Sequence, residues 1–365
     1  MSKIGDSASN VDKPLVDSFG RVAHKLRLSV TDRCNMQCIY CMPKDTDKDD
    51  ESRNVDNSLS GRWFPKNELL SHEEFVRISQ VMARLGIERI RITGGEPLLR
   101  PRVEDLIAGL SQINGIRSIS MTTNGLFLAE KADLLRRSGL QSVNISLDTF
   151  KAGRFRAMCG VDGLHKVLNS ILAADNAGLK VKVNMVVVRG WNDDEVIDFA
   201  TFARETKIIV RFIEFMPLDG SGIWSPELVV SKSEIMSRIR SEIVDIEASR
   251  IVEDNCATAK EAASAPAKLY SFADGKGTVG FIASMTEPFC AQCDRVRITS
   301  DGKLFTCLFE NPGHDIKFLL RNGKTDQEIA NFIMESIRKK PEGIISIIRS
   351  KALRPTLNLM HTIGG

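Results

Sequence analysis

The chain has 365 residues, of which 42% are hydrophobic and 27% charged, and its formal net charge is +3. Such a length allows about two domains, or one barrel of roughly 250 residues with an appendage. So small a charge excludes nucleic-acid binding through overall basicity, and any basic site has to be local. There is no apolar run of about 18 residues, so no membrane span is expected. The polar start Met1–Lys13 has neither the apolar core of a signal peptide nor the Arg-rich, acid-poor character of a transit peptide, and a cytoplasmic location is the expectation.

Residues 1–20 read as a flexible arm. Lys25–Val30 alternates polar and apolar residues as a strand does and runs directly into a cysteine-rich stretch. Residues 44–61 are acidic and polar and predict a disordered loop. A repeating grammar then begins. A helix over Lys66–Leu85 carries Ser71 and Glu74 in capping-box spacing, and strand Arg89–Ile92 follows. Next come helix Pro101–Gln112, strand Ile116–Met121, helix Ala129–Ser138 stopped at Gly139, and strand Gln141–Ser146. The series continues with a helix over 163–177, strand Lys180–Val188, helix Asp193–Thr206, strand Ile208–Phe215 and helix Ser231–Arg240.

Strands that alternate with helices imply parallel pairing through right-handed crossovers. Six units predict an α/β fold, a partial (βα)6 TIM-like barrel spanning residues 21–245. A doubly wound sheet would show a glycine-rich turn of GxGxxG type after its first strand, and none is found. After residue 245 the composition changes. Residues 253–267 are Ala-rich and read as a connector, followed by short strands near Leu269–Phe272, Thr278–Ile282, Val296–Thr299 and Lys303–Leu308 and a helix over Asp326–Arg338. Residues 246–365 are thus expected to form a C-terminal α+β extension.

Barrel chemistry sits at the C-terminal ends of the strands. The unusual residues fall there: Cys34-x3-Cys38-x2-Cys41, Thr93-Gly94-Gly95-Glu96-Pro97, Thr122-Thr123-Asn124-Gly125, Ser146-Leu147-Asp148 and Glu214-Phe215-Met216-Pro217. Eight cysteines without a secretory signal argue against a disulfide framework. Six form two triplets, the second being Cys290-x2-Cys293-x13-Cys307. Cys159 and Cys256 read as a buried small side chain and a loop thiol without special role. Three thiolates on a four-iron cluster leave one iron open, whereas a structural zinc site needs four ligands, with His314 available as the fourth at the second triplet. Arg295 and Arg297 share one face of a strand beside that triplet, which suits an anionic ligand of phosphate type.

With both triplets, the Gly94-Gly95-Glu96-Pro97 turn, the paired arginines and the terminal Gly364-Gly365, the chain resembles the radical S-adenosylmethionine (SAM) superfamily. Within it the chain closely resembles the GTP 3′,8-cyclase family, from about Phe19 to the last residue. The resemblance implies cyclisation of GTP to (8S)-3′,8-cyclo-7,8-dihydroguanosine 5′-triphosphate, the first step of molybdenum cofactor synthesis. It implies that Cys34, Cys38 and Cys41 hold a first [4Fe-4S] cluster, whose open iron takes SAM. Gly95, Glu96, Tyr40, Ser146 and Met216 would surround SAM, Gly95 and Glu96 meeting its amino group. Cys290, Cys293 and Cys307 would hold a second [4Fe-4S] cluster facing the guanine. Arg27, Arg91, Thr122, Lys182, Arg295 and Arg297 would hold GTP, with Arg211 a further candidate. The first triplet with Arg295 and Arg297 would form the catalytic set. Implied partners are an external electron donor and the next enzyme, cyclic pyranopterin monophosphate synthase, with no nucleic acid or membrane, and a monomer or homodimer as the assembly. The glycine tail is expected to enter the site mouth. The competing expectations are a two-cluster radical enzyme acting on peptide or RNA, and a zinc-binding interaction module.

Overall fold

The computed structural model describes residues 13–42, 63–218, 222–249, 264–349 and 360–364. The acidic insert at 44–61, the first part of the Ala-rich connector and residues 1–12 lie outside the described residues. Six strands form the parallel centre: β1 (Lys25–Ser29), β2 (Arg89–Thr93), β3 (Ser118–Thr123), β4 (Ser142–Ser146), β5 (Lys180–Val187) and β6 (Ile209–Glu214), each paired to the next. Between and after them run α1 (His72–Arg84), α2 (Val103–Ser111), α3 (Ala132–Arg137), α4 (Ala152–Cys159), α5 (Leu164–Asn176), α6 (Val196–Thr206) and α7 (Lys232–Glu242). The result is the α/β partial barrel that the alternation predicted.

Period-two patterning explains which face is which. Leu26, Leu28, Ile90, Ile92, Val143 and Ile145 point outward and are buried beneath the helices. Burying each such side chain stabilises by about 1.5–3 kcal/mol. The intervening residues, among them Arg27, Arg91, Thr122 and Ser146, point inward and line a cavity. The helices are locally encoded as well. Ser71 Oγ accepts from the Glu74 amide at 3.2 Å, and Glu74 Oε2 accepts from the Ser71 amide at 2.7 Å, so the expected capping box starts α1. The predicted helix start at Lys66 is too early, because residues 66–68 form only a short 3-10 turn.

The C-terminal part adds β7 (Ile246–Ala248), β8 (Lys268–Phe272), β9 (Thr278–Ile282), β10 (Arg295–Ile298), β11 (Lys303–Phe305) and β12 (His314–Asp315). It also adds α8 (Ile316–Arg321), α9 (Asp326–Arg338), α10 (Ile344–Arg349) and α11 (Met360–Ile363). These strands do not form a separate sheet among the described residues. The order is β12-β11-β10-β1-β2-β3-β4-β5-β6-β9-β8-β7, so the extension continues the barrel sheet at both edges. β10 lies parallel to β1 with Arg27 opposite Arg297, and β9 lies parallel to β6 with Arg211 opposite Gly280.

The arm expected over residues 1–20 is not free at its C-terminal end. Leu15 is fully buried, its amide donates to Leu85 O at 3.2 Å, and its carbonyl accepts from Ala23 N at 2.9 Å. Arg21 donates to the backbone carbonyls of Cys290, Pro341 and Glu342, which ties this segment to the second cysteine loop.

Candidate active site

One cavity of about 310 Å³ is lined by all six triplet cysteines. Arg27, Tyr40, Arg91, Gly95, Thr122, Ser146, Arg211, Met216, Arg295 and Arg297 line it too. Residues from β1 to β6 and from the C-terminal extension therefore meet in one space. A smaller cavity of about 70 Å³ opens at the N-terminal ends of the strands, where Lys25, Arg89 and Lys180 join Arg27, Arg91 and Arg211.

The first cysteine loop is held against the glycine turn by backbone bonds. Gly95 N donates to Thr31 O and Glu96 N to Arg33 O, both at 2.7 Å. A Cβ on Gly95 would come within 2.2 Å of Arg33 O, so only glycine allows this approach. Burial pushes the Cys34 thiol up to about 12. Contact with Cys159 and then burial raise Cys38, and burial raises Cys41. Tyr40 Oη donates to Asp148 Oδ2 at 2.5 Å, and Val186 N donates to Asp148 Oδ1 at 2.8 Å. Burial lifts Asp148 to about 6.

Glu96 departs from the expectation. It is buried and does not line the cavity, because its carboxylate is turned beneath the loop. There it accepts from Leu98 N at 2.9 Å, Thr123 Oγ1 at 2.8 Å and Asn124 N at 2.7 Å. Burial raises it to about 7. Its visible work is to clamp the ends of β2 and β3 together. Lys182 departs as well: it is buried on β5 in register with Asn144 but does not line the cavity.

The lumen is cationic. Burial lowers the Arg27 pKa well below the usual guanidinium value, and the four charges weighing most on it are all guanidiniums, Arg297, Arg91, Arg295 and Arg211. Arg91 Nε donates to Ser120 Oγ at 3.2 Å, and Arg211 Nε to Asn184 Oδ1 at 2.8 Å, which orients both side chains along the wall. Arg295 stacks over Phe289 at 4.7 Å, and its buried Nε has no hydrogen-bond partner among the described residues.

At the second triplet, burial works to raise Cys293. The neighbouring Arg295 and Lys340 outweigh it, and the thiol falls to about 6. Arg295 Nη2 lies 3.6 Å from Cys293 Sγ. Lys340 Nζ donates to the carbonyls of Cys293 at 3.1 Å and Arg295 at 3.0 Å. Cys307 is raised by burial. His314 is not a ligand candidate here: its Nε2 sits 3.0 Å from Glu310 Oε1, and it does not line the cavity.

The tail enters the site as expected. Arg297 Nη1 donates to Gly364 O, and Gly364 packs on Thr93 and Ser29 at the ends of β2 and β1. His361 is buried and meets Trp63 edge to face at 5.9 Å. The residue-by-residue reading missed Asn124, Asp148, Cys159, Lys340 and His361. Asn124 and Asp148 had a signal, their places just past β3 and β4; Cys159 reaches the cavity from the end of α4 and His361 from the tail, while Lys340 lies behind the second triplet without lining it.

The donor sets fit iron–sulfur clusters. Among the described residues no three His, Cys, Asp or Glu side chains converge closely enough to hold a single metal ion. Both triplets line a shared space instead, which disfavours mononuclear zinc. Buried thiols held high need a neighbouring cation to become thiolates, and iron supplies one. Comparisons with known proteins agree. Residues 28–203 match the Radical SAM superfamily and residues 208–345 match Molybdenum Cofactor Synthesis C. The chain is 42% identical over 350 residues to GTP 3′,8-cyclase of Thermodesulfovibrio yellowstonii, covering 96% of this chain and 99% of that protein. It is 39% identical to GTP 3′,8-cyclase of Pelotomaculum thermopropionicum, covering 89% and 94%. Its 38% identity to molybdenum cofactor biosynthesis protein 1 of Bos taurus covers 95% of this chain but only 52% of that protein. SuiB of Streptococcus suis bound to S-adenosylmethionine superposes with a TM-score of 0.57 at 14% identity, covering 93% of this chain and 75% of that one, a likeness of fold alone. Cysteine triplets, cationic lumen, docked tail and these identities together assign the chain to the GTP 3′,8-cyclase family of radical SAM proteins.

Proposed function

We propose that this cavity carries out radical SAM cyclisation of GTP with the residues named above in distinct roles. Cys34, Cys38 and Cys41 hold the first [4Fe-4S] cluster, and Cys290, Cys293 and Cys307 hold the second. When bound, the first cluster and SAM would supply a carbon-centred radical able to take the C3′ hydrogen of the ribose; C3′ bonding to C8 of guanine then requires one further electron and a proton at N7 to give the dihydro product. The Gly95 carbonyl receives the SAM amino group, with Tyr40, Ser146 and Met216 around it. Glu96 serves SAM indirectly by fixing the turn. Arg27, Arg91, Arg211, Arg295 and Arg297 take the triphosphate, Thr122 contributes a hydroxyl to the same wall, and Lys182 supports it from behind the lining. The docked tail and both loops keep water from the reacting carbons. An external low-potential donor supplies both electrons, one for SAM cleavage and one for the cyclised base, the next enzyme of the route takes the product, and the setting is cytoplasmic.

The observation that carries this reading is the buried guanidinium cluster around Arg27, whose strongest electrostatic neighbours are cations. A polyanion complements such a cluster, and charge-assisted bonds contribute about 1.5–3 kcal/mol each. Arg27→Met should weaken GTP binding by about ten- to a hundredfold. Calorimetry of the reconstituted protein with GTP, GDP and guanosine checks it. Equal affinity for GTP and guanosine in the unmutated protein would contradict the phosphate assignment.

A further inference from the structure

Each sulfur of the first triplet meets a polar group from a distant part of the chain, and Cys34 also meets the nearby Met36 N–H. Asn124 Nδ2, just past β3, lies 3.8 Å from Cys34 Sγ. The His361 backbone N–H reaches Cys41 Sγ. The thiol of Cys159, the last residue of α4, meets that of Cys38, a contact that in the cluster-free chain favours a protonated Cys38.

This last contact is built into the backbone. Gln37 N donates to Cys159 O at 2.9 Å and Ile39 N to Met158 O at 3.0 Å, so the residues either side of Cys38 are laced to the end of α4. Gly160 ends that helix at φ +74, and a Cβ there would lie 3.2 Å from Gln37 Cβ, so the approach is close. Cys159 is buried yet lines the same cavity as the triplet. It is therefore neither remote nor merely a small core side chain.

We propose that Cys159 tunes the reduction potential of the first cluster by donating an S–H···S hydrogen bond to the Cys38 sulfur. The inference rests on the assignment of a [4Fe-4S] cluster to Cys34, Cys38 and Cys41. A cluster-bound Cys38 is a thiolate and has no proton to give, so the shared proton sits on Cys159. One-electron reduction by the external donor adds negative charge that spreads onto the cysteine sulfurs. A fixed donor stabilises that charge and raises the potential, with no proton transferred and no bond broken. Cys159 is a positioning and tuning residue, not a ligand, and its effect is on how readily the cluster accepts the electron that SAM cleavage consumes.

The test is a redox titration of the reconstituted holoenzyme, following by electron paramagnetic resonance the cluster signal that changes on adding SAM. Unmutated protein, Cys159→Ala and Cys159→Ser are compared, with iron and sulfide measured first. Cys159→Ala should keep its iron and hold about tenfold less reduced cluster at a fixed donor potential, a shift of about 59 mV to more negative values. Cys159→Ser, which retains an O–H donor, should stay near the unmutated value. Equal potentials in all three proteins at full iron content would overturn the proposal while leaving the cluster assignment intact. Loss of one cluster's iron in Cys159→Ala would overturn it differently, by making Cys159 a ligand or a structural support. If the unmutated protein retains no iron, the cluster assignment itself fails and the proposal with it.

Discussion

Glu96 shows how a single buried group ties the glycine turn to pH. Its carboxyl has an ordinary value near 4.5 and is raised by burial to about 7. Between those values the folded chain keeps a proton that the unfolded chain has released, so stability falls as pH rises through the window and levels off above it. The size is on the order of 3 kcal/mol. Denaturant unfolding of the cluster-free chain at pH 5 and pH 7.5 should therefore show a loss that Glu96→Gln reduces, and the same slope in both proteins would contradict it. Glu96 also illustrates what single residues do and do not reveal. Its place in Gly94-Gly95-Glu96-Pro97 marked it as a SAM contact by resemblance, yet three hydrogen bonds beneath the turn keep its carboxylate out of the cavity. Cys159 errs in the opposite direction. As an isolated cysteine it carries no signal, and only packing brings it to Cys38.

At the scale of elements, long helices and those that fall in the strand–helix grammar were legible, and short helices outside it were not. α1 begins at the Ser71–Glu74 box and α5 covers Leu164–Asn176, within a residue or so of the expected 163–177. α4 was missed because it is a second, short helix between β4 and β5, and α8 because it lies outside the strand–helix grammar. The tail is an element whose chemistry was readable but whose seat was not. Gly364 adopts φ +75, and a Cβ there would lie 2.4 Å from Thr93 Cγ2. Gly364→Val should therefore dislodge the tail from Arg297. Removing both terminal glycines should likewise lower GTP cyclisation at least tenfold, a loss of about 1.4 kcal/mol in transition-state stabilisation, while iron content and SAM binding persist. Product assays alongside SAM binding check this, and undiminished cyclisation would contradict the tail's role.

Over the whole molecule, the alternation of strands and helices revealed the partial barrel, because parallel pairing through helical crossovers is a local rule repeated along six strands. The extension's attachment to both edges was not legible, since β1 and β10 are paired across some 270 residues of chain and no local pattern specifies that. This pairing sets Arg27 beside Arg297 and brings the second triplet over the lumen opened by the first. The two triplets should consequently be separable. Cys293→Ala should retain about half the iron of the unmutated protein and still cleave SAM, yet fail to cyclise GTP. Normal cyclisation by that variant would contradict the assignment of the second cluster.

The central claim is most directly tested by anaerobic reconstitution with iron and sulfide, followed by incubation with SAM, dithionite and GTP. Deoxyadenosine and a cyclised GTP product are then measured by mass spectrometry. The account predicts about eight iron atoms per chain, with both products formed and deoxyadenosine enhanced by GTP. Deoxyadenosine that accumulates while GTP stays intact would contradict the assignment of the cationic lumen to GTP.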